Sequence, residues 1–407
     1  MRRARVSIIG GGAAGLAAAI AAARVGADVT LLEAAARVGQ KILVSGNGRC
    51  NLTNTSIAPS DYNHSDFVGP VLHAYDCEAV CSFFAGMGLL TRPDDEGRVY
   101  PVTNSAGSVL DVLRLECDHL GVEVRCGYEA VRVSELPGSN GLEVASREGE
   151  AVRAESVIVA TGGGSSLLAG VGHTILEHAP VLGPLRTDPE PIRGLSGVRV
   201  RCAATLLAGD GTVLATQRGE LLFRDYGVSG IMVFDLSRFC EPGCAISIDL
   251  FPDVSSDELG AIIAHRCETL SWRNAGTLFA GMLHDRVARA ILRAAGVGAD
   301  TPVGEVPRDT LVALLKDFRL SVLGMGDARQ AQVTRGGASV AEFDPATMSS
   351  RIVDGLYAAG EVLDIDGRSG GFNLHWAWAS GIVAGECAGM SALARTGGDD
   401  LGSRGTA

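Results

Sequence analysis

The 407-residue sequence lacks several features that mark common classes of protein. It has no excess of basic residues, and its formal net charge of −12 argues against a nucleic-acid partner, because phosphate binding needs a basic surface. Beyond the N-terminal segment, no apolar run approaches the ~20 residues that span a bilayer. We therefore expect neither a nucleic acid nor a membrane as a partner, and we predict a cytoplasmic protein.

The ten cysteines include no C-x-x-C redox pair. The closest spacings are C-x3-C, at Cys77 with Cys81 and at Cys240 with Cys244. No second cysteine or histidine pair stands nearby to complete a zinc site. We predict no metal site and interpret the cysteines as reduced thiols.

The strongest signal present is the N-terminal segment, residues 6–33. A short apolar strand runs into Gly10, Gly12 and Gly15 at G-x-G-x-x-G spacing, and an Ala-rich helix and a second strand follow. The first glycine permits a tight turn, the second lets a pyrophosphate approach the backbone, and the third lets the helix pack closely on the strand. This βαβ pattern predicts a dinucleotide-binding site.

Two further features complete the pattern. The helix starts at Ala13 and Ala14, where unpaired N–H groups and the positive end of the helix dipole attract phosphates. Glu33 ends the second strand, where an acid meets the ribose hydroxyls of an adenosine.

A signal peptide is the alternative interpretation, because Arg2, Arg3 and Arg5 precede an apolar stretch. The glycines at the start of that stretch argue against it. So does the strand that completes the βαβ unit.

Two later strand–glycine turns favour FAD over NAD as the dinucleotide. VIVATGGG ends in a Thr161–Gly162 turn, of the kind that passes close to FAD in two-dinucleotide-binding-domain flavoproteins. GLYAAGEVLD ends in a turn that contains Gly360 and Glu361. Asp364 or Asp366 can bond the ribityl chain, although turn chemistry alone also explains an Asp there.

A third glycine turn opens the last predicted helix. Its N–H groups would point at the flavin N1 and C2 carbonyl and stabilise the negative charge of the reduced ring. The segment consists of Gly370, Gly371, Phe372, Asn373 and Leu374.

A polar loop, GQKILVSGNGRCNLTN, follows the first βαβ unit. Such a density of polar groups is costly to bury without partners, and an anionic cofactor supplies them. Cys50, beside Arg49, is either an activated thiol or a buried structural cysteine. The loop residues assigned to the cofactor are Lys41, Ser45, Asn47, Arg49 and Cys50, and Asn51 and Asn54 add further polar groups.

Four segments together closely resemble the BaiN-like flavoproteins, also described as aminoacetone-oxidase-like NAD(P)/FAD-dependent oxidoreductases. These segments are SGNGRCNLTN, GELLFRDYGVSGIMVFDLSR, VTRGGASVAEFDPATMSSR and GLYAAGEVLDIDGRSGGFNLHWAWASG. The resemblance implies that FAD is bound by Gly10, Gly12, Gly15, Glu33, Lys41, Arg49, Gly360, Asp364, Gly371 and Asn373.

The resemblance also implies an α/β fold: a Rossmann-like FAD-binding domain of the two-dinucleotide-binding-domain type, with an inserted β-barrel-like domain and a small helical domain. The strand and helix patterns predict the same division. The predicted parts are a discontinuous FAD-binding domain (1–190 and 341–395), a β-rich domain (191–253 and 324–340), a helical insertion (254–323) and a flexible tail (396–407).

The chain departs from the family pattern at positions expected near the flavin and substrate. Arg224 and Asp225 replace Thr and His, and His375 replaces Gln. We predict that His375, Arg224, Asp225 and Tyr226 perform acid–base chemistry, His375 because histidine titrates near neutrality. The alternatives are a packed, hydrogen-bonded His375 and a surface ion pair between Arg224 and Asp225.

Flavin enzymes transfer hydride at N5, with the protein supplying position and electrostatics. No second G-x-G-x-x-G follows a strand, so NADH or NADPH would bind directly over the flavin, or a substrate would reduce it. We predict an FAD-dependent oxidoreductase acting on a small metabolite, by enone-type C=C reduction or by amine or alcohol oxidation. The alternatives are a non-redox isomerase or dehydratase in a specialised biosynthetic pathway and a flavin-binding protein without turnover.

Overall fold

The computed structural model describes residues 4–138, 141–327, 331 and 333–402. The chain divides into two compact units, the first made of Met1–Ala179 and Val333–Ala407 and the second of Pro180–Gln332. Both ends of the chain therefore build the first unit. The second unit contains a closed barrel, so the predicted fold class is confirmed.

The strands are β1 Arg5–Ile9, β2 Asp28–Glu33, β3 Thr53–Asn54, β4 Thr91–Pro93, β5 Arg98–Pro101, β6 Glu123–Cys126, β7 Ala130–Glu135, β8 Leu142–Ser146, β9 Ala151–Ala154, β10 Ser156–Val159, β11 Ile175–Val181, β12 Leu185–Thr187, β13 Arg199–Leu207, β14 Val213–Arg224, β15 Gly227–Ser229, β16 Ala245–Asp249, β17 Phe318–Met325, β18 Val333–Ala338 and β19 Leu356–Ala358. The helices are α1 Ala13–Arg24, α2 Gln40–Val44, α3 Ser65–Ala74, α4 Cys77–Ala85, α5 Ala106–His119, α6 Ser166–Gly170, α7 Ile231–Ser237, α8 Ser256–Thr269, α9 Asp285–Ala294, α10 Arg308–Lys316 and α11 Phe372–Gly402.

A five-stranded parallel sheet forms the centre of the first unit, in the order β19-β10-β1-β2-β6. The apolar strands β1 and β10 pair from Val6 with Ser156 to Ile9 with Val159. β10 is buried along its whole length, as expected for a strand covered on both faces of a parallel sheet. In such a sheet the C-terminal ends of the strands share one edge, so the turns after β1, β10 and β19 lie side by side.

The helices α1 and α11 pack backbone against backbone. α11 presents Gly381, Gly385 and Gly389, one turn apart on one face. A methyl group at Gly381 would overlap the carbonyl oxygen of Ala14, and one at Gly385 would overlap that of Ala18. Only glycine permits this approach, so the three glycines fix the register of the two helices.

This register makes the two helices parallel. Gly381 lies level with Ala14, at the start of α1, whereas α11 already begins at Phe372. α11 therefore extends about eight residues beyond the start of α1, or about 12 Å at about 1.5 Å per residue. The positive ends of both helix dipoles point to the same side of the sheet.

The second unit is a closed barrel in the order β12-β15-β14-β13-β16-β17. Its core contains Phe223 from β14, Ile248 from β16 and Leu320 from β17, together with apolar side chains of α8, α9 and α10. A capping box starts α8: the Ser255 hydroxyl accepts a hydrogen bond from the Glu258 amide, and the Glu258 carboxylate accepts one from the Ser255 amide.

The boundaries of the parts differ from the predicted ones. The units meet at 179/180 and 332/333, and β18 pairs with β11 although its residues were assigned to the β-rich domain. The helical segment 254–323 belongs to the barrel unit. It also ends early, because Phe318, Leu320 and Val322 alternate with exposed residues and form a strand.

The last helix is longer than predicted. α11 continues to Gly402, through most of the segment expected to be flexible, and residues 403–407 of that segment lie outside the described residues. Throughout the described part of the chain, no helix combines the length and the apolar character that crossing a membrane requires.

Candidate functional site

The turn between β1 and α1 has the geometry of a phosphate cradle. Gly10 has a φ of +105°, and a methyl group there would overlap the Ala160 carbonyl, while one at Gly15 would overlap the Gly10 carbonyl. At Gly12, by contrast, a methyl group would meet nothing within 4 Å. The two outer glycines thus serve packing, and the middle one leaves its backbone open to a ligand.

The start of α1 is left uncapped. Gly12 is the N-cap residue, no side chain caps the helix, and its first turn, from Ala13 and Ala14, carries no acid. The N–H groups of this turn therefore remain available to an anion.

Glu33 binds the same turn from the end of β2. Its Oε2 accepts a hydrogen bond from the Gly11 amide (2.6 Å) and its Oε1 accepts one from the Ala35 amide (2.7 Å). Each oxygen keeps a lone pair, so the carboxylate can also accept from a ribose hydroxyl.

Three separate segments meet beside this cradle. Lys41 Nζ lies 3.2 Å from Glu361 Oε2, and a methyl group at Gly162 would lie 3.3 Å from Lys41 Nζ. Thr161 stabilises its turn by donating to the Gly164 carbonyl. Gly360, which precedes Glu361, packs so closely that a methyl group there would lie 2.9 Å from Ala14 Cβ. Among the acids of the GLYAAGEVLD segment, Glu361 is thus the one that lies beside Lys41 and Gly162, which are also predicted cofactor residues.

The polar loop has an unusual backbone. Asn47 and Cys50 have φ values of 56° and 57°, in the left-handed region. Ser45 donates to the Ile42 carbonyl (2.7 Å), and the Arg49 guanidinium lies 4.7 Å from the centre of the Tyr100 ring. These contacts shape the loop and leave it facing outwards at Asn47 and Arg49, which are exposed.

Cys50 is a buried structural cysteine. Its side chain is fully buried, and burial raises the pKa of its thiol to about 11. The thiol is therefore protonated at neutral pH, which excludes the activated-thiol interpretation.

The start of α11 lies against the polar loop. Gly370 and Gly371 have φ values of +113° and +106°, and a methyl group at Gly371 would lie 2.9 Å from Asn51 Oδ1. This Oδ1 is buried, and it has no hydrogen-bond partner among the described residues. A ligand with an N–H donor would satisfy it, as the isoalloxazine ring of FAD can.

Two predicted cofactor residues instead organise the protein itself. Both amide ends of Asn373 are used, because its Oδ1 accepts from the Gly367 amide (2.8 Å) and its Nδ2 donates to the Gly367 carbonyl (3.0 Å). Asp364 is nearly buried, with its Oδ1 accepting from the Gly336 amide (3.0 Å) and its Oδ2 2.8 Å from His64 Nε2. These bonds give both side chains a structural role, and their predicted FAD contacts stay predictions.

Other residues near the start of α11 also have structural roles. Asp366 is fully buried, with its Oδ2 3.4 Å from Arg335 Nε, so the structure does not favour it as a ribityl ligand. The Phe372 carbonyl accepts a hydrogen bond from the Tyr62 hydroxyl (2.8 Å), and Leu374 packs against the hydrophobic core.

The structure argues against His375 as an acid–base group. Its side chain is fully buried, with Nδ1 2.8 Å from Thr53 Oγ1 and Nε2 2.9 Å from the Tyr75 carbonyl. Burial lowers the pKa of His375 to about 4, so the ring is neutral at pH 7. With both nitrogens occupied, it is the packed histidine of the alternative interpretation.

The other three predicted catalytic residues lie in the second unit. Arg224 ends β14, and Asp225 and Tyr226 form the turn to β15, with Arg224 opposite Gly227. Arg224 and Asp225 are exposed and Tyr226 is half-buried. Their participation in acid–base chemistry stays a prediction.

The structure adds a site that was not predicted from the sequence. A cavity of about 560 Å³ lies in the first unit, with His64 and Asp364 on its wall beside the apolar side chains of Phe67 and Phe343. With its proton on Nε2, His64 donates to Asp364 and leaves Nδ1 as an acceptor. The pair is separated by 300 positions in the chain, so no local sequence signal could reveal it.

The described residues contain no group of three or more His, Cys, Asp or Glu side chains placed to hold a metal ion.

The chain is similar to known proteins over nearly its whole length. The sequence profile of the HI0933-like protein Rossmann domain matches residues 4–387. The 3-dehydro-bile acid delta(4,6)-reductase of Clostridium scindens is 34% identical, over 94% of this chain and 98% of its own. The ribosomal RNA dihydrouridine synthase of Escherichia coli is 30% identical, over 93% of this chain and 96% of its own.

Among solved structures, a flavocytochrome c3 fumarate reductase in its open conformation is 17% identical with a TM-score of 0.46, covering 96% of this chain and 79% of its own.

We expect Gly12→Val to weaken FAD binding at least about tenfold, because the added methyl groups enter the open space of the cradle. Gly170→Val is the matched control, since its side chain also meets open space but lies at the end of α6. The FAD-to-protein ratio after reconstitution measures the effect. Equal FAD content in both variants would remove Gly12 from the site.

His375→Gln should reduce the sensitivity of the fold to acid. An unfolded histidine binds a proton near pH 6.5, whereas the folded pKa is about 4, so the wild type loses stability as the pH falls through this window. Relative to the variant, the free energy of unfolding of the wild type falls by about 3 kcal/mol in total. Urea unfolding at several pH values measures it, and parallel curves for the two proteins would contradict the buried, neutral state of His375.

Proposed function

This chain belongs to the HI0933-like protein family, and on that basis we propose that it is an FAD-dependent oxidoreductase that reduces a C=C bond conjugated to a carbonyl group. Membership of the family confirms the resemblance recognised in SGNGRCNLTN and GEVLDIDGRSGGFNL. The observation that carries the proposal is that the uncapped, open Gly12 turn of α1 and the start of α11 lie on one side of a parallel sheet.

The names of two relatives support the choice of reaction. One is a reductase of a 3-dehydro-bile acid at its delta(4,6) bonds, and the other makes dihydrouridine in ribosomal RNA. A 3-oxo-4-ene ring and the uracil ring share one chemical feature, a C=C bond conjugated to a carbonyl group. Hydride addition to the far carbon of such a bond leaves negative charge on the oxygen, and a proton then completes the reduction.

We propose a small metabolite as the substrate, and neither a nucleic acid nor a membrane as a partner. The formal net charge of −12 and the pI near 5.2 oppose the binding of a polyanion such as RNA. The cavity wall combines apolar side chains such as Phe67 with polar ones such as Asn63 and Arg351, which suits a compact ring compound that carries a polar carbonyl group.

The residues of the first unit fit FAD in distinct ways. The amides at the start of α1 would hold the pyrophosphate, and Glu33 would accept from the ribose. Lys41 supplies a positive charge beside Glu361, whose Oε1 accepts from the Thr334 amide (2.8 Å). When bound, FAD supplies hydride at N5 of its ring. The start of α11 would then present the positive end of its helix dipole to the negative charge that develops.

We propose NADH or NADPH as the electron donor. The chain has no second G-x-G-x-x-G turn after a strand, so the nicotinamide would bind over the flavin face and leave before the substrate enters. If the reaction were instead the oxidation of an amine or alcohol, the substrate itself would reduce the flavin.

The test is an anaerobic visible spectrum of the FAD-loaded protein, followed by additions of NADH, NADPH and an acceptor. We expect one nicotinamide to bleach the flavin and a 3-oxo-4-ene bile acid to restore the oxidised spectrum. Restoration by an unmodified ribosomal RNA fragment alone would overturn the small-molecule proposal. A flavin bleached only by an amine or alcohol would favour oxidation, and substrate conversion without net redox change would favour an isomerase or dehydratase.

We further propose that the cavity beside Asp364 receives the substrate and that His64 supplies the proton. Asp364, a residue of the cavity wall, belongs to the segment that links Gly360 to α11. The cavity wall and the proposed flavin-binding turn are therefore neighbours in the sequence. Asp364 fixes the ring of His64 through the 2.8 Å contact at Nε2. To act as the acid, His64 must carry a proton on each ring nitrogen: Nε2–H donates to Asp364, and Nδ1–H gives its proton to the substrate.

His64→Gln should slow reoxidation of the flavin by the enone about 100-fold, because general acid catalysis contributes effects of this size. Flavin reduction by the nicotinamide should keep its wild-type rate. His73→Gln is the control, since His73 is an exposed residue of α3, the helix that His64 precedes. Stopped-flow spectra separate the two half-reactions, and an equal slowing of both would contradict the assignment.

A further inference from the structure

Among the described residues that line the cavity beside Asp364, Arg351 is the only arginine or lysine. Its side chain is exposed, and its Nε donates a hydrogen bond to the Phe343 carbonyl (3.0 Å). Within the part of the chain that the structure describes, no carboxylate forms an ion pair with its guanidinium. Because Nε is occupied, the two terminal nitrogens remain as a pair of parallel donors.

A buried histidine holds the backbone that carries Arg351. His173 Nδ1 lies 2.8 Å from Glu342 Oε2, and its Nε2 lies 2.9 Å from Ser350 Oγ. The His173 ring also stacks on Phe343, with ring centres 4.4 Å apart. The Arg351 amide donates to the Glu342 carbonyl (2.8 Å), so the two segments are fixed side by side. Little conformational freedom is therefore lost when Arg351 binds a ligand.

The other charged side chains of the wall favour one kind of anion. Asp66, in the first turn of α3, is exposed on the same wall, and Asp364 is paired there with His64. Two acids oppose a doubly charged group such as a phosphate monoester more strongly than they oppose a singly charged one. A carboxylate carries one charge, and its planar pair of oxygens matches the parallel donors of a guanidinium.

We propose that Arg351 binds a carboxylate of the substrate and thereby determines which enones the cavity accepts. This inference rests on the proposed enone reduction and names its substrate class, a ring enone that carries a carboxylate. Arg351 and His64 line the same cavity of about 560 Å³, so one compact ligand can contact both. Binding of the carboxylate at Arg351 restricts the orientations in which the ring can lie against His64.

The test measures the binding of two matched ligands to the full chain with FAD present, by isothermal titration calorimetry. No nicotinamide is added, so no turnover occurs. The ligands are a 3-oxo-4-ene bile acid with a free carboxylate and its primary amide. We expect the wild type to bind the acid about tenfold more tightly than the amide. Arg351→Gln should weaken binding of the acid about tenfold and leave that of the amide unchanged, because hydrogen bonds between charged groups contribute about this much.

Two further variants serve as comparisons. Arg351→Lys keeps the charge but loses the paired donors, so its affinity for the acid should lie between those of the wild type and Arg351→Gln. Arg92→Gln is the matched control, since Arg92 is an exposed residue of β4 in the same unit and lies outside the cavity wall. It should bind both ligands as the wild type does.

Equal affinities of the wild type for the two ligands, or no binding of the acid, would overturn the proposal. An equal loss of affinity for both ligands in Arg351→Gln would also overturn it, because Arg351 would then only support the cavity wall. The binding measurement separates this proposal from the reaction. If binding of the acid depends on Arg351 but the bound acid does not reoxidise the flavin, the enone reduction is refuted and the carboxylate site stands.

Discussion

The close contact between α1 and α11 is the constraint on which the rest of the structure depends. Glycines on α11 let its backbone touch the carbonyl oxygens of Ala14 and Ala18, which larger residues would prevent. Backbone contact of this kind fixes the relative register of two helices far more narrowly than side-chain packing does. Because the helices come from opposite ends of the chain, this contact also unites the two parts of the first unit.

The contact has an electrostatic consequence. Two parallel helices with their starting ends on one side of the sheet present two positive dipole ends to the same region. Side chains near this region mostly hold the backbone in place: Glu33 binds the Gly11 amide, Asn373 closes the turn before α11, and Asp364 holds the Gly336 amide. The site thus offers oriented backbone dipoles, which need no rearrangement when a charged ligand binds.

The same packing explains why several polar side chains are not free to react. His375 lies one turn into α11, and there the helix is already covered by Thr53 and Tyr75. Its neighbours Trp376 and Trp378 are buried as well. A titratable side chain is left at the surface of the cavity, where His64 lies on the wall.

The sequence by itself determined the features that depend on local spacing. The G-x-G-x-x-G turn, the strand ending in Glu33, the glycine turns after β10 and β19 and the family segments could all be recognised, because each is a short pattern with a direct backbone consequence. Tertiary structure alone decided which polar residues are free. Asp364 pairs with His64 across 300 positions, and His375 with Thr53 across 322, and no local pattern encodes such partners. It also decided that residues 318–325 form a strand, because barrel closure places them between β16 and β12.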